Sequence, residues 1–410
     1  MSVPQTWKRT RIDRVATVNA RIGWKALTAT EYQSEGYVFL ATPNIKSSAI
    51  DFDRVNYISE YRYQESPELK LQLGDVLLAK DGNTLGITNI VRELPRPATV
   101  NGSIAVLRPF DIEPRFLRYV LASSSTQDVI DAIKGGMGVP HLFQWDINRL
   151  PLNLPPLAEQ RRIADFLDAE TARIDHLAIL QSAARTAVLA RTVAQLDLKI
   201  DELAATHGTL PFRRMIWSIE QGSSPQCDNF PAGAEEWGVL KLSAVKNGSF
   251  FEEENKQLPA DIEPERRYEI QHGDLLITRA NTPQLVGAAA VADSPRRKLM
   301  LCDKIFRVAT TPDLLPEFLV LVSLATRIRD MCAEASHGAS QSMANLKTEE
   351  IKRWPVPAAS VPVQRAVIEE ISEARSYAAT LTDAIDRQLA LLSERRQALI
   401  TAAVTGGISV

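Results

Sequence analysis

Two stretches decide the fold: LQLGDVLLAK at residues 71–80 and IQHGDLLITR at residues 270–279. Each carries the β-branched and aliphatic run of a buried strand, VLLAK and LLITR, and the two lie 199 positions apart. A repeat at such an offset must be settled before any local reading, because it dictates the architecture. FLATPNI (39–45) sits opposite VLKLSAV (239–245) at an offset of 200. DINRLPLNLPPLAEQRRIADFLD (146–168) sits opposite EIKRWPVPAASVPVQRAVIEEIS (350–372) at an offset of 204. The drift is what loop insertions produce. With 410 residues in all, the chain reads as two tandem copies of one unit, near 1–205 and 206–410.

Within each copy the texture changes once. The first 150 or so residues are short β-like runs broken by turn dipeptides such as Asp81-Gly82, Asn101-Gly102 and Asn247-Gly248, which tolerate positive φ and suit tight turns. A helical stretch closes this part, at 113–133 and again at 316–335. A proline-rich hinge follows (Pro151, Pro155, Pro156; then Pro355, Pro357, Pro362), and then a long helix. Residues 157–203 hold neither Gly nor Pro; as one helix they would run about 70 Å.

In the second copy Ile371, Ala378, Ile385, Leu392 and Leu399 recur every seven residues, with partner positions expected three residues on, at Ala374, Leu381, Gln388, Arg395 and Ala402. The first copy carries Leu167, Ile174, Gln181, Val188 and Gln195 in the same register, with Glu170, Leu177, Ala184, Arg191 and Leu198 beside them. A seven-residue repeat is the mark of helix pairing. The two helices pair most simply with each other, antiparallel, as an internal strut. The alternative is an intermolecular coiled coil. The helix-pairing residues are therefore expected to be Leu167, Ile174, Val188, Ile371, Ala378, Ile385, Leu392 and Leu399.

Composition bounds the function. The balance is that of an ordinary globular chain, 45% hydrophobic and 24% charged. Net charge is −3, which disfavours an unfocused polybasic binder and leaves room for a local basic cleft. Three cysteines without close spacing (Cys227, Cys302, Cys332) support neither a disulfide framework nor a zinc site. No apolar run approaches the ~18 residues of a membrane span, and MSVPQTWKRTR lacks a signal-peptide core. The expectation is a soluble, cytoplasmic protein with no membrane partner.

Catalytic motifs are missing. There is no GxxxxGK[ST] loop and no HExxH, and the five histidines are scattered. Gly135-Gly136-Met137-Gly138 follows a helix and precedes Val-Pro, outside the strand–turn–helix context of a dinucleotide site. Nothing resembles the Asn/Asp-Pro-Pro-aromatic signature of an amino-methyltransferase. No catalytic and no metal-ligating residue is expected.

LPPLAEQRRIADFLDAETARIDHL (154–177) and ERRQALITAAVTGGISV (394–410) resemble the conserved-region motifs of specificity subunits of type I restriction-modification enzymes. GDVLLAKDGNTLG (74–86) and GDLLITRANTPQLVG (273–287) resemble that family's target-recognition-domain motif. The second copy departs from the pattern, since PVPAASVPVQRAVI (355–368) lacks the Pro-Pro-Leu and the Glu of PPLAEQ.

The resemblance implies an α+β chain with two pseudo-symmetric α/β target-recognition domains, 1–153 and 206–356. Two long antiparallel coiled-coil helices, 154–205 and 357–410, would separate them. It implies double-stranded DNA as ligand, a bipartite asymmetric site and helices that act as spacer ruler. Its partners would be two adenine-N6 methyltransferase (modification) subunits and the restriction (nuclease-translocase) subunits. No cofactor is expected in this chain; S-adenosylmethionine, ATP and Mg would sit on the partners. The competing reading is a coiled-coil protein scaffold that binds no DNA.

Candidate DNA contacts are donors and amides on loops near strand ends. Matched positions supply Asn44 and Lys46 with Ser243 and Lys246, and Lys80 and Asn83 with Arg279 and Asn281. His141 stands opposite Gln341 of the GASQSMAN loop. A solvated charge or a turn residue is the competing reading for each.

Overall fold

The computed structural model describes residues 4–20, 27–46, 48–135, 138–246, 248–335 and 344–410. The chain divides into two compact units, Met1–Ser182 with Asp386–Val410, and Ala183–Ile385.

In the first unit the strand Val76–Ala79 is buried on both faces, which explains its unbroken apolar run. Successive side chains point opposite ways along a strand. Val76 and Leu78 join Phe116, Leu117 and Leu121 of the helix Pro114–Ala122, while Leu77 packs with Val38, Leu40 and Val100. The strand lies inside an antiparallel four-stranded sheet in the order Ala16–Ala20, Ile104–Pro109, Val76–Ala79, Thr88–Ile90. The opposing small sheet runs Asn56–Ile58, Tyr37–Leu40, Ala98–Val100, antiparallel then parallel.

The second unit repeats this plan strand for strand. Its large sheet is Ile216–Gln221, Ile305–Thr310, Leu275–Thr278, Ala289–Val291, and its small sheet Asn255–Gln257, Gly238–Leu240, Leu299–Met300. Leu275 and Ile277 face the helix Pro316–Leu324, and Leu276 faces the small sheet.

The shared Gly-Asp motif is framework. Gly74 and Gly273 turn at φ +88° and +86°, a region open to glycine at little cost. Asp75 then accepts from the Gln72 amide at 2.8 Å, and Asp274 from the Gln271 amide at 2.9 Å. Each carboxylate also meets an arginine of the neighbouring strand, Arg108 at 2.8 Å and Arg307 at 3.2 Å.

A second shared device is a buried glutamine near the start of each long helix (Leu157–His207 and Val361–Thr405). Gln160 accepts from the Glu113 amide at 2.8 Å and donates to the Pro155 carbonyl at 2.8 Å. Gln364 accepts from the Leu315 amide at 2.9 Å and donates to the Asp313 and Ala359 carbonyls at 2.7 and 2.8 Å. The glutamine therefore survives where the second copy loses the rest of PPLAEQ. Gln364→Leu is expected to cost about 2–3 kcal/mol, because one amide and two carbonyls lose their partner. Urea unfolding checks this; a loss no larger than that of an exposed-site substitution would contradict it.

The proline-rich hinges are strands. Pro151–Leu154 pairs antiparallel with Lys8–Arg11, and Pro355–Pro357 with Thr209–Pro211. Each ladder has only two strands, so an outer edge remains where a missing N–H is tolerated.

The long helices pair within each unit. In the first, Ile163 and Leu167 pack with Ile400, Ala403 and Val404, and Arg396 donates to Asp175 at 3.0 Å, an antiparallel arrangement. In the second, Leu196, Ile200 and Leu203 share a core with Val367 and Ile371, and Lys199 meets Glu370 at 2.9 Å. The helices also exchange roles. The helix Ser124–Ile133 has its first amide capped by Thr401 of the second long helix at 2.9 Å. The helix Thr326–Ala335 has its first amide capped by Asp197 of the first long helix at 2.7 Å.

The seven-residue row is buried at Leu167, Ile174, Ile371, Ala378 and Ile385, and half-buried at Val188, Leu392 and Leu399. Its companion row is corrected. Leu177 and Leu198, expected on the seam, are 48% and 62% exposed. In the first long helix the companions lie four residues on, at buried Thr171 and half-buried Ala178; in the second the expected Ala374, Leu381 and Ala402 are half-buried, beside buried Thr382 and half-buried Leu389 and Arg396. Spacings of three and of four both suit a helix turn of 3.6 residues, and the neighbouring surface selects between them.

A candidate nucleic-acid interface

The strand Val76–Ala79 ends in a loop stitched to the segment before Gln144. Lys80 donates its amide to the Ser103 carbonyl at 2.8 Å and accepts from the Leu142 amide at 2.9 Å. The Gly82 amide reaches the Pro140 carbonyl at 2.9 Å, and Asp81 forms a bridge with His141. The sequence candidates Lys80, Asn83 and His141 therefore share one end of one sheet. The second unit repeats the stitch. Arg279 donates its amide to the Lys304 carbonyl at 2.8 Å and accepts from the Leu346 amide at 2.8 Å, while Ala280–Asn281 pairs with Ala344–Asn345.

The side chains differ in what they can offer. Lys80 is buried, with its ammonium 3.3 Å from Asp81, and Asp81 also holds the His141 ring through Nδ1. Asp81 thus engages both Lys80 and His141 inside the loop, whereas Asn83 is exposed. Arg279 is half-buried; Asn281 is half-buried and accepts from the Thr282 amide at 2.8 Å. Gln341 lies outside the described residues.

The other matched loop follows the central strand of the small sheet in each unit. Asn44 is buried; its oxygen accepts from the Ala41 amide at 2.8 Å and its nitrogen donates to the Arg54 carbonyl at 2.7 Å. That amide holds the loop together. Lys46 is exposed and paired with Asp51 at 2.9 Å, with its carbonyl held by Asn89 at 2.6 Å. Ser243 donates to Glu254, and Lys246 is exposed.

Lys46 and the amides of Arg54 and Asp53 hold the Asp51 carboxyl down at about 2, below its usual 3.8. A depressed carboxyl stabilises its surroundings above the unfolded value and loses that effect as pH falls through the folded one. The 44–54 loop should therefore keep this support above about pH 4 and lose it toward pH 2. An NMR titration of the Asp51 carboxyl should show a midpoint near 2; a midpoint near the ordinary value would contradict the assigned contacts.

Sequence reasoning missed an aromatic–basic face beside His141. Phe143 and Trp145 are 50% and 56% exposed. The Phe143 ring meets His141 edge-on at 4.4 Å and lies nearly parallel to Trp145 at 6.4 Å. The Arg149 guanidinium sits 5.2 Å from the Trp145 ring centre. The readable signal was the interleaving in HLFQWDINR (141–149). Flat rings and guanidinium groups of this kind suit nucleic-acid backbones and bases. Among the described residues no cluster of three or more His, Cys, Asp or Glu could hold a metal, and no helix is long and apolar enough to cross a membrane.

Residues 4–182 match the family model described as the type I restriction modification DNA specificity domain. The specificity subunit of the type I restriction enzyme EcoKI of Escherichia coli K12 is 22% identical over 99% of this chain and 90% of its own length. That of EcoEI from Escherichia coli is 33% identical over 39% of this chain and 27% of its own. Among solved structures, a chain from work on assembly and conformational transition of the type I R-M system covers 100% of both chains with a TM-score of 0.73 at 19% identity. The HsdS subunit of Thermoanaerobacter tengcongensis covers 100% of this chain and 99% of its own, with a TM-score of 0.54 at 17% identity. At these identities the structural likeness speaks for the fold. With one fold built twice on paired helices, the chain carries a type I restriction modification DNA specificity domain at residues 4–182 and is similar over nearly its whole length to specificity subunits of type I restriction enzymes.

Proposed function

We propose that this chain reads a bipartite, asymmetric DNA sequence for a type I restriction-modification complex. Residues 1–153 and 206–356 serve as the two target-recognition domains. The observation that carries the reading is one sheet-and-loop framework built twice with different surfaces. The strand-end loop is Lys80-Asp81-Gly82-Asn83 in one unit and Arg279-Ala280-Asn281-Thr282 in the other. Two readers of one fold and different chemistry suit two different half-sites, as symmetric readers suit palindromes.

The helical segments 154–205 and 357–410 act as spacer and as docking platform for two adenine-N6 methyltransferase subunits and the restriction subunits. Exposed Leu177, Ile179 and Leu180 support docking on the first long helix, where they leave apolar area uncovered. The chain itself performs no chemistry; S-adenosylmethionine, ATP and Mg belong to the partners, and the complex works on DNA in the cytoplasm.

Methylome sequencing of a host with and without this chain, each with its modification subunit, tests the proposal. Adenine methylation should appear at one bipartite sequence only when the chain is present. An unchanged methylome would overturn the reading in favour of a protein scaffold. The pure chain incubated with DNA and labelled S-adenosylmethionine should incorporate nothing; incorporation above background would contradict the non-catalytic role.

A further inference from the structure

The second unit holds an open cleft of about 600 Å³ lined by three lysines from three separate segments. Lys241 follows the strand Gly238–Leu240, Lys256 stands on Asn255–Gln257 opposite Val239, and Lys304 precedes Ile305–Thr310. Ser224 and Gln226, from the loop after Ile216–Gln221, complete the wall. Three carboxylates stand near, one of them Asp228 beside the lining Cys227. Asp303 is hydrogen-bonded to Ser224, and Glu254 lies 3.6 Å from the Lys241 ammonium. Of the residues that line the cleft itself, three are lysines and one, Asp303, is a carboxylate.

Among the described residues, the first unit builds the same frame with neutral side chains at the three matched positions. Ala41 follows Leu40 as Lys241 follows Leu240, and Asn56 stands opposite Phe39 as Lys256 stands opposite Val239. Ser103 takes the place of Lys304: each carbonyl accepts from the residue ending the central strand, Lys80 in one unit and Arg279 in the other. Three neutral residues in one copy are thus three cations in the other. The cleft also adjoins both candidate loops of its unit, since Lys304 is bonded to Arg279 and Lys241 lies two residues before Ser243.

We propose that this cleft seats the sugar–phosphate backbone of double-stranded DNA at the half-site read by the second unit. Lys241, Lys256 and Lys304 neutralise phosphates there. The inference rests on the DNA-reading function proposed above. Its consequence is a difference at three matched positions: the second reader grips through charge where the first has neutral Ala41, Asn56 and Ser103.

The test uses the complete assembly of this chain with its modification subunits and a duplex carrying the methylated sequence. Affinity is measured across salt concentrations for wild type, for Lys241→Gln/Lys256→Gln/Lys304→Gln, and for the corresponding triple arginine variant. Each phosphate neutralised contributes about 0.9 to the slope of log K against log salt. The glutamine variant should therefore lose about two to three units of slope, and the arginine variant should recover most of it. Phosphate-ethylation interference should weaken at one half-site only.

A wild-type slope in the glutamine variant, or equal loss at both half-sites, would overturn the cleft assignment. Failure of the wild-type assembly to bind any duplex would instead overturn the DNA reading beneath it. If the triple variant melts early, Lys304→Gln at its exposed position carries the test with a slope change of about one.

Discussion

Asp75→Ala is expected to destabilise the first unit by about 3 kcal/mol, with little effect on the second. The Asp75 side chain is 1% exposed and receives two bonds of 2.8 Å from Arg108, besides the Gln72 amide. Removing it strands a guanidinium that retains the Lys70 carbonyl at 2.8 Å as partner. Breaking a buried pair from one side costs about 3–5 kcal/mol, and the partial exposure of Arg108, 29%, places the value at the low end. Asp274→Ala should cost less, because Asp274 is 19% exposed and its bond to Arg307 is longer, 3.2 Å. Arg307 also keeps Glu220 at 2.6 Å. Urea unfolding followed by hydrogen exchange separates the two units. Equal losses for the two variants would show that the turn, and not the ion pair, carries the stability.

On the proposed reading, exchanging residues 206–356 for the corresponding part of a type I specificity subunit should move methylation to a new sequence at one half-site. The other half-site should stay unchanged. The two units have separate cores, each with its own pair of sheets. Contacts with no shared residues add independently. Specific DNA binding exceeds non-specific binding by about 10³-fold or more, so methylation at the abandoned half-site should vanish from a methylome. If both half-sites changed together, the independence of the two readers would have to be given up.

Several features were legible in residue order because their causes are local. Periodicity of apolar residues marks strands and helices, and a repeat needs only self-comparison. Hence the duplication, the buried strands in VLLAK and LLITR, the long helices and the row through Ile371, Ala378 and Ile385 could all be read directly. The likeness to type I specificity subunits was legible too, from the two conserved-region motifs.

The pairing of Pro151–Leu154 with Lys8–Arg11 was not legible, because its partner lies some 140 residues away and proline suppresses the strand signal. Of the candidate contacts, Asn44 and Lys80 look like outward-facing donors in sequence. In the structure Asn44 closes its own loop and Lys80 is buried against Asp81.

By itself, the sequence determined that one α+β unit occurs twice, that each copy ends in a long helix and that the two copies carry different loops. Only the tertiary structure decided which side of each helix is covered. Rows three and four residues along both satisfy a 3.6-residue turn, so the choice falls to the surface packed against it. Only the tertiary structure, too, gathered Lys241, Lys256 and Lys304 into one cleft. A charge acts through the distances to its neighbours, and residues far apart in sequence acquire such distances only when the chain has folded.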